Sequence, residues 1–396
     1  MINVAVVEGG APSDAKACGA QLAADAQMRL GGAAKALLLV SPYRGVDHAR
    51  LLGAVREGAP GVPLIGGTTY GGIMGPRLVE DAPLLLAWGG DVQGSAARAN
   101  GLARDAFETG RACAAGAVRG LKGAAPKVFL LMHEPQMGDP YRLLDGARSV
   151  LGEGFPIVGG GTGTGFIMEQ SPMSKQFADG KVLAGSAVGL ALAGDFKTAF
   201  GFSHGAQPVS PEFTLTKSRG NILVEFDGRP ALDVLREAVG VTGDRETGIS
   251  FTAFLGFGVV TAGSEEFPVL GVWGTDCKER VLYCGTQVAE GARYRIVRMS
   301  PETILEETGR AARKALAVLG GKAKGAVSFD CYGRKLQLGA HGLIDAELKA
   351  LHEGLGGAPM AGMYSGSEFV VLDAGRPSTR ACYAHASTSF VLFGDA

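Results

Sequence analysis

Five side chains in the C-terminal part of the sequence combine the groups that hold a small charged molecule. Cys331 and Arg334 lie at the end of one predicted strand, and Tyr364, Ser365 and Glu368 lie at the end of another. If the two strands are parallel neighbours, both sets emerge at one edge of the sheet. Arg334 would then bind a ligand carboxylate through two hydrogen bonds, and Glu368 would accept one from an amine. An Arg334–Glu368 salt bridge beside a buried cysteine is the structural alternative.

The same residues also suit covalent chemistry. Cys331 would serve as a nucleophile with Glu368 or His385 as its base, because a thiolate beside Arg334 has a lowered pKa. This alternative makes the protein a small-molecule hydrolase. We expect catalysis to be the less favoured reading, since no cysteine and histidine spacing in the chain is diagnostic.

A third alternative is a haem sensor. His133, His204 and His385 lie at or inside strand segments, where each would be a candidate axial ligand. The apolar run FTAFLGFGVV, residues 251 to 260, would line the haem cavity, although such a run more often belongs to a core. The histidines form neither an HxH nor an HExxH spacing, so the sequence predicts no preformed metal site.

These residues are positioned by a strand, helix, strand pattern that occurs three times. Each copy ends with a further strand-like run, so the sequence implies a repeated βαββ module. The three copies cover residues 34 to 72, 126 to 165 and 324 to 368, and their final runs cover residues 82 to 92, 181 to 194 and 381 to 393.

Aligning the three copies places a small hydroxyl residue three positions after a glycine in each second strand. We expect these hydroxyls to face a ligand at the carboxyl ends of the strands, as in open α/β sheets, although Gly and Thr also simply turn a chain. The glycines are Gly66, Gly159 and Gly362, and the hydroxyl residues are Thr69, Thr162 and Ser365.

The rest of the chain completes the predicted architecture. The stretch between the second and third copies reads as successive strands with one short helix, and Asp227 and Arg229 within it are expected to close the ligand pocket. A helix is predicted over residues 300 to 320, with Ser300 as N-cap and Gly320 as its stop. The fold class is therefore α/β (mixed α+β), with mixed sheets covered by helices, in two domains, 1–205 and 206–396.

Composition excludes several classes of protein. Hydrophobic residues make up 46% and charged residues 19% of the chain, so it folds rather than remaining disordered. Lys+Arg 38 against Asp+Glu 39 leaves no basic footprint for nucleic acid. We expect no membrane span, no secretory leader and a cytoplasmic location, and the six scattered cysteines fit reduced thiols.

Two familiar motifs fail on their context. GFSHG, residues 201 to 205, fits the GxSxG pattern of serine hydrolases, but two prolines follow where a helix is required. GGGTGTG, residues 159 to 165, resembles a dinucleotide loop, yet the GxGxxG pattern fails at Phe166.

Several blocks together resemble the FIST domains, FIST N and FIST C, of bacterial sensory proteins. The resemblance covers about residues 30 to 393. Two departures are Gly72, at the acidic position of the first block, and the closing YAHAST. The blocks are VPLIGGTTYGGI, SHGAQPVSPEFTLTKSRGNILVEFDGRPALDVL, VAEGARYRIVRMSPETIL, FDCYGRK and GMYSGSEF.

The resemblance implies a sensor of small ligands, proposed to include amino acids, with some members similar to haem-based nitric-oxide sensors. It also implies a partner, a histidine kinase or a cyclic-dinucleotide enzyme. Because the resemblance nearly exhausts the chain, we expect this protein to act on that partner in trans. The sequence predicts neither the identity of the ligand nor the oligomeric state.

Overall fold

A computed structural model describes residues 1–10, 13–164, 173–240, 254–376 and 379–396. The predicted run 251–260 and the segment GGGTGTG each lie partly outside these residues. Two units with one order of elements come first. The first unit contains β1 (Ile2–Glu8), α1 (Ala15–Leu30), β2 (Ala36–Pro42), α2 (His48–Gly58), β3 (Leu64–Thr69), β4 (Gly72–Met74), β5 (Arg77–Val79) and β6 (Leu84–Gly90). The second contains β7 (Val92–Asn100), α3 (Ala106–Gly120), β8 (Pro126–His133), α4 (Pro140–Leu151), β9 (Ile157–Gly161), β10 (Gln176–Ala178), β11 (Lys181–Leu183) and β12 (Ser186–Gly194).

The third unit begins with β13 (Phe196–Ser203) and is interrupted by an insertion over residues 207–298. The insertion contains β14 (Gln207–Arg219), β15 (Ile222–Phe226), β16 (Arg229–Pro230), α5 (Ala231–Val239), β17 (Leu255–Val259), β18 (Val269–Asp276), β19 (Val281–Cys284) and β20 (Arg293–Arg298). The unit then continues with α6 (Pro301–Leu319), β21 (Gly325–Cys331), α7 (Tyr332–Gly339), α8 (Ile344–Gly354), β22 (Met360–Ser365), β23 (Glu368–Leu372), β24 (Arg380–Ala384) and β25 (Thr388–Asp395).

Each unit builds a six-stranded sheet around one parallel pair of strands, and borrows a hairpin from another unit. The first sheet has the order β1-β6-β2-β3-β10-β11, so its last two strands come from the second unit. The second sheet ends in β23 and β24 of the third unit, and the third sheet ends in β4 and β5 of the first. The three hairpin exchanges therefore form a closed ring that ties the units together.

The sheets bury one face in a core that they share. That core contains residues of all three sheets, among them Leu38, Leu130 and Val327, all at most 1% exposed. The helices cover the opposite faces, where each unit has a smaller core of its own. This arrangement confirms the predicted mixed α/β class, with helices covering mixed sheets.

The insertion is an antiparallel sheet that closes on itself. β14 pairs with β20 along its first half and with β15 along its second half, which brings both ends of the sheet together. Helix α5 contributes to its apolar core. We call this body, residues 207–298, the inserted barrel. The predicted division at residue 206 stays a prediction, and the strand pairing crosses it, because β13 pairs with β25.

Three close approaches explain the glycines that the alignment of the repeats brought into register. A Cβ atom at Gly66 would lie 1.9 Å from Leu39 O, and one at Gly159 would lie 1.8 Å from Leu131 O. At Gly362 it would lie 2.0 Å from Ser328 Oγ. Real Cβ atoms do not approach other atoms so closely, so each parallel pair requires glycine there.

Local predictions were confirmed where the pattern was strong. Helix α6 begins after Ser300, which forms a capping box with Thr303, and ends at Gly320 in a left-handed conformation. The strand predicted over 324 to 334 is wrong at its end, because Tyr332 begins helix α7 and places Arg334 on that helix. None of the described helices combines the length and the apolar character that crossing a bilayer requires.

Candidate functional site

A cavity of about 790 Å³ lies where the parallel strands of the first unit end. Pro42 and Thr69 are paired at the carboxyl ends of β2 and β3, and both line it. The facing wall is helix α7 of the third unit, which contributes Tyr332, Lys335 and Leu336. The carboxyl ends of parallel strands are where α/β sheets bind ligands. We call this space the α7 cavity.

Contacts between the two units hold the walls of the α7 cavity in place. The ring of Tyr70 stacks on Tyr332, with their centroids 4.2 Å apart. Lys335 Nζ donates to Tyr70 O at 2.8 Å and to Glu80 Oε1 at 2.6 Å. Burial raises the pKa of Tyr70 to about 12, so this phenol stays neutral. The cavity therefore has aromatic walls that are fixed across the interface between the units.

Two charged residues that line the α7 cavity, one cationic and one anionic, have no ion-pair partner among the described residues. Arg44 and Asp81 both line it, both are exposed, and neither forms an ion pair with any other residue that the structure describes. Lys335 and Glu80, in contrast, neutralise each other. The free charges of the cavity are thus of opposite sign, which is the complement of a dipolar ligand.

The five residues of the predicted third-unit site lie close together but are enclosed. Strands β21 and β22 are parallel neighbours, with Cys331 paired to Ser365, so the two loops do meet. Cys331 is 2% exposed, and Arg334, Tyr364, Ser365 and Glu368 are fully buried. Their assignment to ligand binding stays a prediction, and the contacts below give them internal partners.

Arg334 has an internal role in this structure. Its guanidinium donates to Glu347 and Thr308 side chains and, at 3.1 Å, to Ser203 O. Asp330 lies 3.8 Å away as a second ion-pair partner. The alternative of an Arg334–Glu368 salt bridge is wrong, since the ion pairs of Arg334 are with Glu347 and Asp330. The ligand carboxylate expected at Arg334 would have to displace these bonds.

The Cys331 thiol does not have the expected lowered pKa. Burial raises it, and the neighbouring Glu368 raises it further. A buried thiol with a raised pKa is a poor nucleophile at neutral pH, because the thiolate is the reactive form.

We expect iodoacetamide at pH 7 to leave Cys331 unmodified in the folded protein, while the half-buried Cys277 and Cys382 react first. Urea should make all three equally reactive. Peptide mass spectrometry of the alkylated protein provides the measurement. Modification of native Cys331 faster than Cys277 would support the nucleophile reading instead.

The remaining predicted ligand residues are spread over the molecule. Thr69 lines the α7 cavity, and its Oγ1 lies 2.9 Å from Tyr364 O. Thr162 is buried in a separate polar cluster with Ser174 and Gln176. The predicted closing residues, Asp227 and Arg229, belong to the inserted barrel, where Asp227 Oδ1 accepts from Thr214 N and Arg229 pairs with Glu237.

The three strand histidines are engaged in packing and hydrogen bonds. His133 contacts Phe369 and bonds Glu134 O, and His204 lies against Phe267 and accepts from Ala206 N. His385 accepts from Gly271 N and bonds Tyr383 OH at 2.9 Å. Burial lowers the pKa of each to about 4, so all three are neutral.

These three histidines are the candidate axial ligands that the haem alternative requires. Among the buried ring nitrogens of these three histidines, Nε2 of His133 has no hydrogen-bond partner in the described part of the chain, and none of the three lines the α7 cavity. The described part of the predicted run 251 to 260 forms β17 in the barrel core. No cluster of metal-ligating side chains occurs among the described residues. Haem binding stays a prediction.

Apart from Thr69, sequence reasoning missed the residues that line the α7 cavity. Tyr43 and Arg44 directly follow β2, as Tyr332 and Gly333 directly follow β21 in the third copy of the repeat. The alignment of the repeats thus contained this position, but the third copy drew attention because it holds more reactive side chains. Lys335 faces the cavity because it lies on helix α7, and the sequence analysis predicted a strand up to residue 334 instead of the start of this helix.

Comparison with known proteins gives a family. The FIST N domain model matches residues 4–229, and the FIST C domain model matches residues 231–370. Two relatives, an uncharacterised protein of Mycobacterium tuberculosis and one of Mycobacterium bovis, are each 26% identical to this chain. Each alignment covers 90% of this chain and 91% of the relative.

Among solved structures, the chain is similar to a cyanuric acid hydrolase from A. caulinodans, with a TM-score of 0.28 and 12% identity over 49% of this chain and 71% of that one. A second cyanuric acid hydrolase structure gives a TM-score of 0.36 and 10% identity over 100% of both chains. These TM-scores are too low to carry an argument. The two domain models together establish that the chain belongs to the FIST domain family.

Proposed function

We propose that this protein is a cytosolic sensory protein that binds a small ligand in the α7 cavity. FIST domains are associated with sensory signalling. The observation that carries the proposal is a cavity of about 790 Å³, with tyrosine walls and with Arg44 and Asp81 at its surface, neither of which forms an ion pair within the described part of the chain. Its volume lies within the range of roughly 300 to 1,000 Å³ that small-molecule sites occupy. The six free cysteines fit a reducing compartment.

The ligand class that this lining favours is an amino acid or another small molecule with a carboxylate. Arg44 would hold the carboxylate, since a guanidinium presents paired donors in a plane. Asp81 would accept from the amine. Tyr43 and Tyr332 would cover the apolar part of the ligand, because tyrosine offers apolar area together with a polar end. The roles first expected of Arg334 and Glu368 thus pass to two residues that a ligand reaches.

Replacing Arg44 with alanine is expected to weaken ligand binding by about 1.5 to 3 kcal/mol, the value of a charged hydrogen bond. The probe is the amino acid or dicarboxylate that raises the unfolding temperature most in a thermal-shift panel, because a binder stabilises the native state. Isothermal titration calorimetry of wild type and variant then gives the ratio of dissociation constants.

Arg111→Ala is the matched control. Arg111 is an exposed arginine on α3 of the second unit and pairs with Glu108, remote from the lining of the α7 cavity. Its affinity should equal that of the wild type. Equal affinity in Arg44→Ala and Arg111→Ala would remove Arg44 from the site, and a panel without any binder would contradict the proposed ligand class.

Signalling in trans is the second part of the proposal. Helix α7 forms one wall of the cavity, and its Leu338 packs with Ala206 and Met299, which flank the inserted barrel. A ligand that moves α7 therefore acts on both connections to the barrel. A histidine kinase or a cyclic-dinucleotide enzyme is the proposed partner, on the support of the family's association with signalling. The described contacts favour neither the haem reading nor a Cys331 hydrolase.

A further inference from the structure

Glu368 is a buried carboxyl group to which no cationic side chain of the described residues is bonded. It is the first residue of the β23–β24 hairpin, which the third unit contributes to the sheet of the second. Its two carboxyl oxygens lie 2.9 Å from Ser365 Oγ and 3.1 Å from Ser387 Oγ. Arg334 bonds other carboxyl groups, as described above. Burying an ionised carboxylate without a paired cation costs several kcal/mol. The protonation state of Glu368 in the folded protein therefore needs an explanation.

The repeat supplies a direct comparison, because Gln176 occupies the same place in the preceding hairpin. Gln176 pairs with Gly67 on β3, and Glu368 pairs with Gly160 on β9. These two partners each follow one of the repeat glycines by one position. A carboxylic acid and a carboxamide have the same shape, and the amide always carries hydrogens to donate.

Around Gln176, the direction of each hydrogen bond is fixed. Its Oε1 accepts from Ser186 N at 3.2 Å, which leaves Nε2 to donate to Thr162 Oγ1 at 2.8 Å. Thr162 Oγ1 also lies 3.0 Å from His133 O, which can only accept. The Thr162 hydroxyl therefore accepts a hydrogen bond from Gln176, and His133 O is available to accept the hydrogen that Thr162 donates.

The third unit repeats this arrangement with one change. Ser365 Oγ lies 3.1 Å from Asp330 O, and Asp330 has the position of His133 in its own strand. A hydroxyl has a single hydrogen to give. If Ser365 donates it to Asp330 O, the bond to Glu368 requires a hydrogen on the carboxyl group.

We propose that Glu368 is a neutral carboxylic acid in the folded protein and donates its hydrogen to Ser365 Oγ, so that attachment of the β23–β24 hairpin depends on pH. Burial raises the pKa of Glu368 to about 8, in the same direction. Ionisation turns this donor into an acceptor. The single hydrogen of Ser365 Oγ can then satisfy either the Glu368 carboxylate or Asp330 O, but not both. The contact between the β23–β24 hairpin and the sheet of the second unit then loses one hydrogen bond and contains a buried negative charge.

The groups that face Glu368 do not reverse this conclusion. Asp330 and the Cys331 thiol on β21 interact unfavourably with a negative charge at Glu368, as does Tyr383 on β24. Arg334, together with donors on Ser365 and Ser387, favours the ionised form but is outweighed by burial.

The test compares urea unfolding of wild type and Glu368→Gln from pH 5 to 9. A glutamate in the unfolded chain has a pKa of about 4.3, so between that pH and about 8 the folded protein holds one more proton than the unfolded chain. Stability is then lost as pH rises through this window. The unfolding constant of wild type, divided by that of Glu368→Gln, should rise up to tenfold per pH unit and level off above pH 8.

Two further variants isolate the effect. Gln176→Glu places an acid in the matching position of the second unit. The stability of this variant should therefore gain a further pH dependence of the same sign, which an amide at position 176 does not give. Glu306→Gln makes the same chemical change on the exposed side of α6 and should leave the pH profile of wild type unaltered. An infrared difference spectrum at pH 7 should show a protonated carboxyl band in wild type that is missing from Glu368→Gln.

Each alternative outcome overturns the proposal. A pH-independent ratio between wild type and Glu368→Gln, with no lost carboxyl band, would show that Glu368 is ionised. A Glu368→Gln protein much less stable than wild type at pH 5 would do the same, because an amide makes the donated bond that the proposal requires.

Discussion

Replacing Arg334 with methionine is expected to lower the free energy of unfolding by about 3 to 5 kcal/mol, the cost of breaking a buried ion pair by removing one partner. Glu347 and Asp330 would be left facing each other without their cation in a fully buried environment. Burial already raises the pKa of Asp330, and loss of the guanidinium raises it further. Urea unfolding at pH 7 provides the measurement.

Arg310→Met is the control for this prediction. Arg310 pairs with Glu307 on the exposed side of α6, where an ion pair contributes about 0 to 1 kcal/mol. A loss at Arg334 no larger than the loss at Arg310 would contradict the internal role of Arg334. It would also restore the earlier expectation that this guanidinium is available to a ligand.

Replacing Gly66 with alanine is expected to destabilise the protein by about 3 kcal/mol or more, at the upper end for an overpacked site. The added Cβ would meet the backbone oxygen of Leu39, which a side-chain rotation cannot move away. The parallel pair β2 and β3 would have to separate at that point. Because these strands end at the α7 cavity, ligand affinity should fall as well as thermal stability.

Gly53→Ala makes the same chemical change but is expected to stabilise the protein. Gly53 lies in helix α2, and nothing is within 4 Å of a Cβ atom there. Alanine should raise stability by about 0.5 to 1 kcal/mol, because it favours the helix over the unfolded chain. Thermal unfolding of both variants checks the pair. An unchanged melting temperature in Gly66→Ala would mean that the strands are not so close.

The repeat was predictable because its signal is local. Apolar strand runs, amphipathic helices and the register of Gly66, Gly159 and Gly362 all lie in the order of residues along the chain. The hairpin exchange was not predictable by such reasoning. β4 and β10 are three-residue strands that each pair on one side with a strand of another unit, and the sequence order does not reveal that pairing.

The candidate site was located only in part. Thr69 was named for its place at the end of a strand, and the structure puts it in the lining of the α7 cavity. Arg334 was named for its charge, yet burial and the position of Glu347 decide what that charge does. Type and spacing show that chemistry is present, but a side chain such as Arg44 becomes a candidate only when its lack of a partner is known.

Blocking the α7 cavity tests the central claim most directly. Leu336 is 41% exposed on α7 and lines the cavity, so a tryptophan there fills space without disturbing the core. Val318→Trp on α6, at a residue 61% exposed, is the matched control. Calorimetric titration with the amino acid or carboxylate found in the panel should show binding to wild type and to Val318→Trp, and none to Leu336→Trp. Equal affinity in all three proteins would place the ligand elsewhere and contradict the account.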